Sequence, residues 1–358
     1  MPDDVKNASN TNFSKEQVIA ICVLVMVSAL WGLSFPIMKS MSSQMEIGLG
    51  LKGSQVSSLT HIAFTSGMIG LRFLIALVVL CLFCPKLVRH ATKAEWIAGI
   101  CIGIVFYVGL VLQVMGLATI PASRSGFLTS LTAVFTPIFS ALLFRRYPSW
   151  NVVLGILIAL FGVSILTGLV VGDGLHFGIA ADAMSKWTIG DTLTTFGSVL
   201  FTGQLMLVDY YGKRLNSAAI TPGMFFAVSV AAGATFVSLY QIALSRTQVT
   251  NAFQIWGDLF FQPLFFSLVF FLAVFCSVLA FMGMNRYQPH ISAVQASVIY
   301  SSEPVFASFF AVFLPSLLGL LAASYGYPNE VLSLHLFFGG MLILLANIVA
   351  LWPVRVRP

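Results

Sequence analysis

Residues 292–314 read SAVQASVIYSSEPVFASFFAVFL, and residues 125–144 read SGFLTSLTAVFTPIFSALLF. Each is an apolar run long enough to cross a hydrocarbon core of about 30 Å, which takes roughly 20 helical residues. At an offset of 167, Ser125 lies over Ser292, Pro137 over Pro304 and Phe139 over Phe306. The Met115-Gly116 pair ahead of the first run lies over Met282-Gly283 ahead of the second, and a looser match sets Gly155 over Gly340. Two like runs, each in the same place relative to its neighbours, predict an internal repeat.

Composition agrees with a membrane setting. Of 358 residues, 58% are hydrophobic and 8% charged, against about 25% charged in an ordinary soluble domain. Mean hydropathy is +0.96. Soluble enzymes, nucleic-acid-binding modules, disordered chains and disulfide scaffolds are excluded as the main reading. The net charge of +6 comes mostly from basic residues in short gaps between apolar runs; such residues set topology rather than bind nucleic acid.

Ten runs predict transmembrane helices: 18–38, 62–84, 95–117, 125–144, 151–171, 190–210, 222–243, 263–284, 292–314 and 333–352. They are continuously apolar, so helices are expected rather than a barrel. With the N-terminus in the cytoplasm, twelve Lys and Arg fall inside and five outside, with Arg72 within a span. Both termini are therefore expected in the cytoplasm. The fold class expected is an all-α integral membrane protein, with ten transmembrane helices as two inverted five-helix repeats. Five is odd, so the second repeat enters the membrane upside down. The expected divisions are a tail at 1–17, a first repeat at 18–171, an outer linker at 172–189, a second repeat at 190–352 and a tail at 353–358. The PSLLGLL stretch after Pro304 reads either as a short helix on the outer surface or as an extension of the ninth span.

Further stretches are ALWGLSFPIMK (29–39) and GLRFLIAL (70–77), LGILIALFGVSIL after the fourth span, and FFGGMLILLANIVAL in the tenth. Taken in order, these resemble the EamA-type family of the drug/metabolite transporter superfamily. The resemblance implies a secondary carrier of small metabolites, often an exporter, working by alternating access in a bacterial inner (plasma) membrane. Where that family has a Gly-Glu pair after span 4, this chain has Arg145-Arg146-Tyr147. Glu330, ahead of LSLHLFFGG, stands at the equivalent place in the second half after an insertion.

Two charges sit deep in the expected spans, Arg72 and Glu303. Each costs about 2.5–3.5 kcal/mol at a bilayer centre unless a partner or a wet cavity receives it. They could pair with one another or anchor separate helices. In a binding role, Arg72 would hold an anionic group and Glu303 a proton or an ammonium. Low-dielectric surroundings favour a neutral carboxyl, which suits proton coupling at Glu303. Gln113 and Gln204 are candidate cavity amides, able to donate and accept; Trp31, Tyr107 and Tyr300 are candidate aromatic walls. Lys39 and Asp209, near span ends, read as snorkelling groups. Gly99 and Gly103 read as a close helix contact within the bundle.

The C-x-x-C of Cys81 and Cys84 lacks a second ligand pair, so no metal and no cofactor is expected. Nor is there a phosphate-binding loop or a hydrolase motif. A small-molecule substrate and the bilayer are the expected partners, with a homodimer left open. The alternatives are a sugar-phosphate or nucleotide-sugar exchanger, a membrane-embedded lipid enzyme, and a sensor or scaffold.

Overall fold

The computed structural model describes residues 14–48, 58–145, 148–166, 170–173, 176–179, 187–246, 257–331 and 334–351. The 353–358 tail, residues 1–13 of the 1–17 tail and half of the 172–189 linker lie outside them. Helix α1 (Lys15–Gly48) is followed by α2 (Ser58–Phe83), a short α3 (Pro85–Arg89) and α4 (Lys93–Leu117). Next come α5 (Ala122–Ser130), α6 (Thr132–Phe144) and α7 (Trp150–Leu166). The second part holds α8 (Ile189–Gly212), α9 (Thr221–Arg246), α10 (Pro263–Ala273) and α11 (Ala280–Tyr287), the last two joined by a π-helical turn over Val274–Leu279. Then follow α12 (Ala293–Tyr300), α13 (Glu303–Ala311), α14 (Leu314–Leu321) and α15 (Leu334–Leu351).

The chain is a helical membrane protein. Among the described residues six helices or fused helices are long and apolar enough to cross a bilayer, and α12–α13 with α14 makes a seventh if the bent pair is one span. The ten expected runs are all helical over most of their described residues, yet three fall short of that test. Those of α7 and α15 are shorter apolar stretches. Helix α8 carries Asp191, Asp209 and several threonines because much of it faces other helices rather than lipid. The run expected over 151–171 is corrected: its helix stops at Leu166, and Val170–Asp173 pairs antiparallel with His176–Ile179. β-Branched Val170 and Val171 suit that strand. The architecture is thus not purely helical, and the expected boundary at 171/172 falls inside a hairpin.

Local sequence explains the ends. Thr92, Ser292 and Thr188 each cap a helix reciprocally with the residue three positions on, Glu95, Gln295 and Asp191, satisfying orphan backbone donors. Helix α1 packs on α11 and on α12–α13, while α8 packs on α4 and on α5–α6. Helices α2 and α9 pack together, as do α7 and α15. Small residues bring axes close. A Cβ at Gly103 would sit 2.6 Å from the Met224 carbonyl oxygen, and one at Gly223 2.7 Å from that of Trp96, so the Gly99/Gly103 pair serves the α4–α9 contact within the chain. Gly155 and Gly162 do the same for α7 against Ala350 and Leu342 of α15.

Two runs are broken at corresponding places. The fourth breaks at Leu131 between α5 and α6, the ninth at Ser301-Ser302 between α12 and α13. At the first break the Ser130 hydroxyl donates to the Phe127 carbonyl (2.7 Å); at the second, the Ser302 hydroxyl donates to Ile299 (2.7 Å). Side chains thereby satisfy carbonyls that the interrupted ladder leaves open.

Candidate functional site

Both broken runs border one cavity of about 60 Å³. Trp31 and Met38 reach it from α1, Arg72 from α2, and Phe106 and Gln113 from α4. Thr129 and Thr132 flank the first break, Tyr300 and Glu303 the second. Phe201 and Gln204 come from α8, and Phe281 from α11. The walls are largely aromatic: Trp31 packs against Tyr300 (5.2 Å between ring centroids) and Phe281 (5.4 Å). The space holds a few waters and is well below the roughly 300–1,000 Å³ of small-molecule pockets.

Six of the seven candidate residues lie on this cavity. Arg72 and Glu303 are 4% and 7% exposed, but they do not pair with each other. Arg72 Nε donates to Ser277 Oγ (2.8 Å), Nη2 to the Cys276 carbonyl (2.9 Å), and Nη1 to Met38 Sδ (3.5 Å). Ser277 and Cys276 belong to the π-helical turn, a device that interrupts the regular helical ladder. Among the described residues nothing hydrogen-bonds or ion-pairs with the Glu303 carboxyl. The residue opens α13, with Pro304 behind it. Gln113 Nε2 donates to Thr129 Oγ1 (2.7 Å), whereas Gln204 Nε2 is buried without a partner. The Tyr300 hydroxyl donates to Gln288 Oε1 (3.3 Å), and Gln288 Nε2 to the Leu205 carbonyl (3.0 Å).

Tyr107 is the exception. It is one residue past Phe106, so it points about 100° away around α4, where its hydroxyl meets Ser66 Oγ at 2.9 Å. Phe35, Met38, Phe106 and Phe281 were not singled out in the sequence. Phe35 and Met38 follow Trp31 at helical intervals, and Phe106 and Leu110 precede Gln113 likewise; extending each stripe by three or four residues would have found them. Ser277 gives no such signal, because it lies off the cavity behind Arg72.

Lys39 does not snorkel freely. Its Nζ donates to the Ile120 carbonyl (2.9 Å) and lies 5.7 Å from the Tyr327 ring. Asp209 pairs with Lys213 at 2.5 Å, one turn on. A further ion pair ties Arg124 to the fully buried Asp191 (2.6 Å), joining the start of α5 to the start of α8. A wider cleft of about 610 Å³ lies beyond the cavity, bordered by Ser140, Pro148, Met206, Lys213 and Gln295. Leu205 faces the cavity and Met206 the cleft. No cluster of metal-ligating side chains occurs among the described residues.

The fold and cavity define a polytopic helical membrane protein with a small, largely aromatic cavity into which a few polar side chains reach. Residues 18–168 match the EamA-like transporter family. A protein of Archaeoglobus fulgidus described as an uncharacterized transporter is 26% identical over 326 residues, covering 91% of this chain and 83% of that one. A crystal structure described only as that of a protein shares the fold, with a TM-score of 0.51, 17% identity, and coverage of 90% of this chain and 96% of that one. The first part of the chain is thus similar to the EamA-like transporter family, and most of its length to an uncharacterized transporter.

Proposed function

We propose that the protein is a secondary carrier exporting small organic metabolites, such as amino acids or drug-like compounds, by alternating access between two inverted five-helix repeats. The observation that carries this reading is the convergence of Arg72, Glu303, Gln113 and Gln204 on one cavity at two helix breaks. Paired discontinuous helices in corresponding places are the mark of a carrier's midplane site, because broken ladders are tolerated where they line a cavity. The packing supports the repeat. Moving each helix five places along the ten runs turns the contacts of α1 with α11 and α12–α13 into those of α8 with α4 and α5–α6. Contacts of α2 with α9, and of α7 with α15, map onto themselves.

In this reading ten spans cross a bacterial inner membrane, with both termini cytoplasmic. The repeats occupy 18–171 and 190–352, joined by the 172–189 linker. The wide cleft is the cytoplasmic approach, and the cavity is occluded. Arg72 receives an anionic group, with its remaining N–H donors, and Gln113 and Gln204 orient polar groups. Trp31 and Tyr300 cover the apolar part of the solute. Glu303 binds the coupling proton or a substrate ammonium. Tyr107 is withdrawn from this set, since it faces Ser66. One cation lines the cavity, which disfavours a sugar-phosphate exchanger.

The test is flux in proteoliposomes under an imposed pH gradient, using a mixture of amino acids and small metabolites. Wild-type protein is expected to accumulate at least one solute uphill, and Glu303→Gln to lose the pH-driven accumulation. Full uphill transport by Glu303→Gln would remove Glu303 from coupling. No flux of any solute, alongside turnover of a lipid, would replace the carrier with an enzyme.

A further inference from the structure

The insertion between the ninth and tenth runs forms a strap across the C-terminal end of α1. After α13 the chain turns by 48° into α14, makes a 3-10 turn over Ala323–Tyr325 and then runs without regular structure to Val331. Four side chains bind this stretch to α1 and to the start of α10. Ser40 Oγ donates to the Tyr325 carbonyl (2.5 Å), Gln44 Nε2 donates to that of Ser324, and the Tyr327 hydroxyl donates to the Pro36 carbonyl (3.3 Å). The fully buried Tyr325 donates its hydroxyl to Gln262 Oε1 (2.7 Å). Burial, and then the nearby Glu330, hold the Tyr327 hydroxyl well above the usual phenol range, so it remains a donor.

Glu330 fastens the far end. Its backbone N–H donates to the Ala311 carbonyl (2.9 Å), closing the strap onto α13, and its Oε1 accepts from the Ser123 backbone N–H (3.2 Å) in the first turn of α5. A carboxylate there meets the positive end of the helix. From the other side Lys39 holds the Ile120 carbonyl, just before α5. The strap, α1 and α5 thus meet at one point, and α1 and α5 are both cavity-lining helices: Ser34, Phe35 and Met38 face the cavity while Pro36, Lys39 and Ser40 hold the clasp.

We propose that this strap is the gate that closes the cavity at the α1 C-terminal end, with Glu330 as its latch on α5. In the proposed topology this is the outer gate. Opening there requires Glu330 to leave Ser123 and the strap to swing away from α1. Among the described residues the other end shows the wide cleft and no such strap, so the two ends are closed by different means.

The test reads accessibility rather than transport. Ser34→Cys places a thiol in the cavity wall, and a membrane-impermeant maleimide is added to vesicles from the face carrying Glu330, with unmodified protein giving the background of native thiols. Adding Glu330→Ala is expected to raise labelling of Cys at 34 by roughly tenfold, the factor for losing one charge-assisted hydrogen bond, while Glu330→Gln, which keeps an acceptor, raises it less. In a second arm, Ser123→Cys with Glu330→Cys is joined by a short thiol crosslinker before a reporter at 34 is labelled through a different tag. The joined protein should exclude the reagent from that face. Equal labelling with and without Glu330, and entry of reagent into the crosslinked protein, would overturn the gate. Labelling that follows the clasp in a protein that moves no solute would contradict the carrier reading and uphold the gate.

Discussion

Gln204 is buried on the cavity with an amide nitrogen that has no partner among the described residues. Such a group costs about 1–3 kcal/mol in stability, and a binding site can retain it because a ligand supplies the missing acceptor. Gln204→Leu is therefore expected to raise thermal stability by about 1 kcal/mol while lowering flux. A melting curve in detergent beside a transport assay checks both; a variant that loses stability and keeps flux would assign Gln204 to structure. Arg72 behaves in the opposite way. Three of its N–H groups reach Ser277, Cys276 and Met38, a planar fork that Lys cannot reproduce. Arg72→Lys is expected to destabilise by about 1–3 kcal/mol, read by the same melt. At this scale the sequence was most legible where a residue was costly. A charge or amide inside an apolar run announces itself, and Arg72, Glu303, Gln113 and Gln204 all reached one cavity. Tyr107 was misjudged because aromatic rings are ordinary in membrane helices and one residue of phase decides their direction. Ser277 could not be seen, since its importance lies in a partner more than 200 positions earlier in the chain.

Individual helices show where strain is placed. Arg145 ends α6 in the left-handed region, at φ 53°, the place where the resembled family has glycine. A side chain there costs about 1–2 kcal/mol, so Arg145→Gly should raise the melting temperature and Arg145→Val lower it; the reverse order would contradict the assignment. Gly32 has the contrary problem. A Cβ on it would lie 2.6 Å from Phe306 Cβ and 2.8 Å from the Ala307 backbone nitrogen. Gly32→Val is expected to push α1 from α13, lower stability by about 1–3 kcal/mol and reduce flux, measured by melting and proteoliposome assay. Helix identity was readable from apolar runs, and Pro137 and Pro304 marked the two runs that break. The first break falls six residues ahead of Pro137, where no local pattern specifies it, whereas the second falls directly ahead of Glu303-Pro304, with Pro304 in the first turn of α13. The strap was invisible for a related reason: PSLLGLL reads equally as surface helix or span extension, and only contacts with α1 decide.

At the scale of the whole molecule, the bundle is held by the Arg124–Asp191 pair on one level and by glycine-lined helix crossings on others. Asp191 is fully buried, caps its own helix and takes two bonds from Arg124. Removing it takes two charged bonds from Arg124 and leaves the helix uncapped, so Asp191→Ala should cost about 2–4 kcal/mol. The helical membrane character was legible in the apolar runs, and 6 or 7 helical units among the described residues pass a strict length-and-apolarity test; the inverted repeat and the topology belong to the proposed reading. Of the remaining runs, α8 is more polar and buries Asp191, Thr194, Ser198 and Thr202, whereas α7 and α15 are shorter apolar helices. The claim on which the account turns is that the two ends of the bundle open in alternation around the Arg72–Glu303 cavity. Spin labels in lipid discs test it directly, one pair at Thr119 and Pro328 beside the strap, the other at Ser149 and Lys213 beside the cleft. Two distance populations are expected for each pair, with the long population at one end growing as that at the other shrinks when pH or solute is changed. One unvarying distance at both ends under every condition would contradict it.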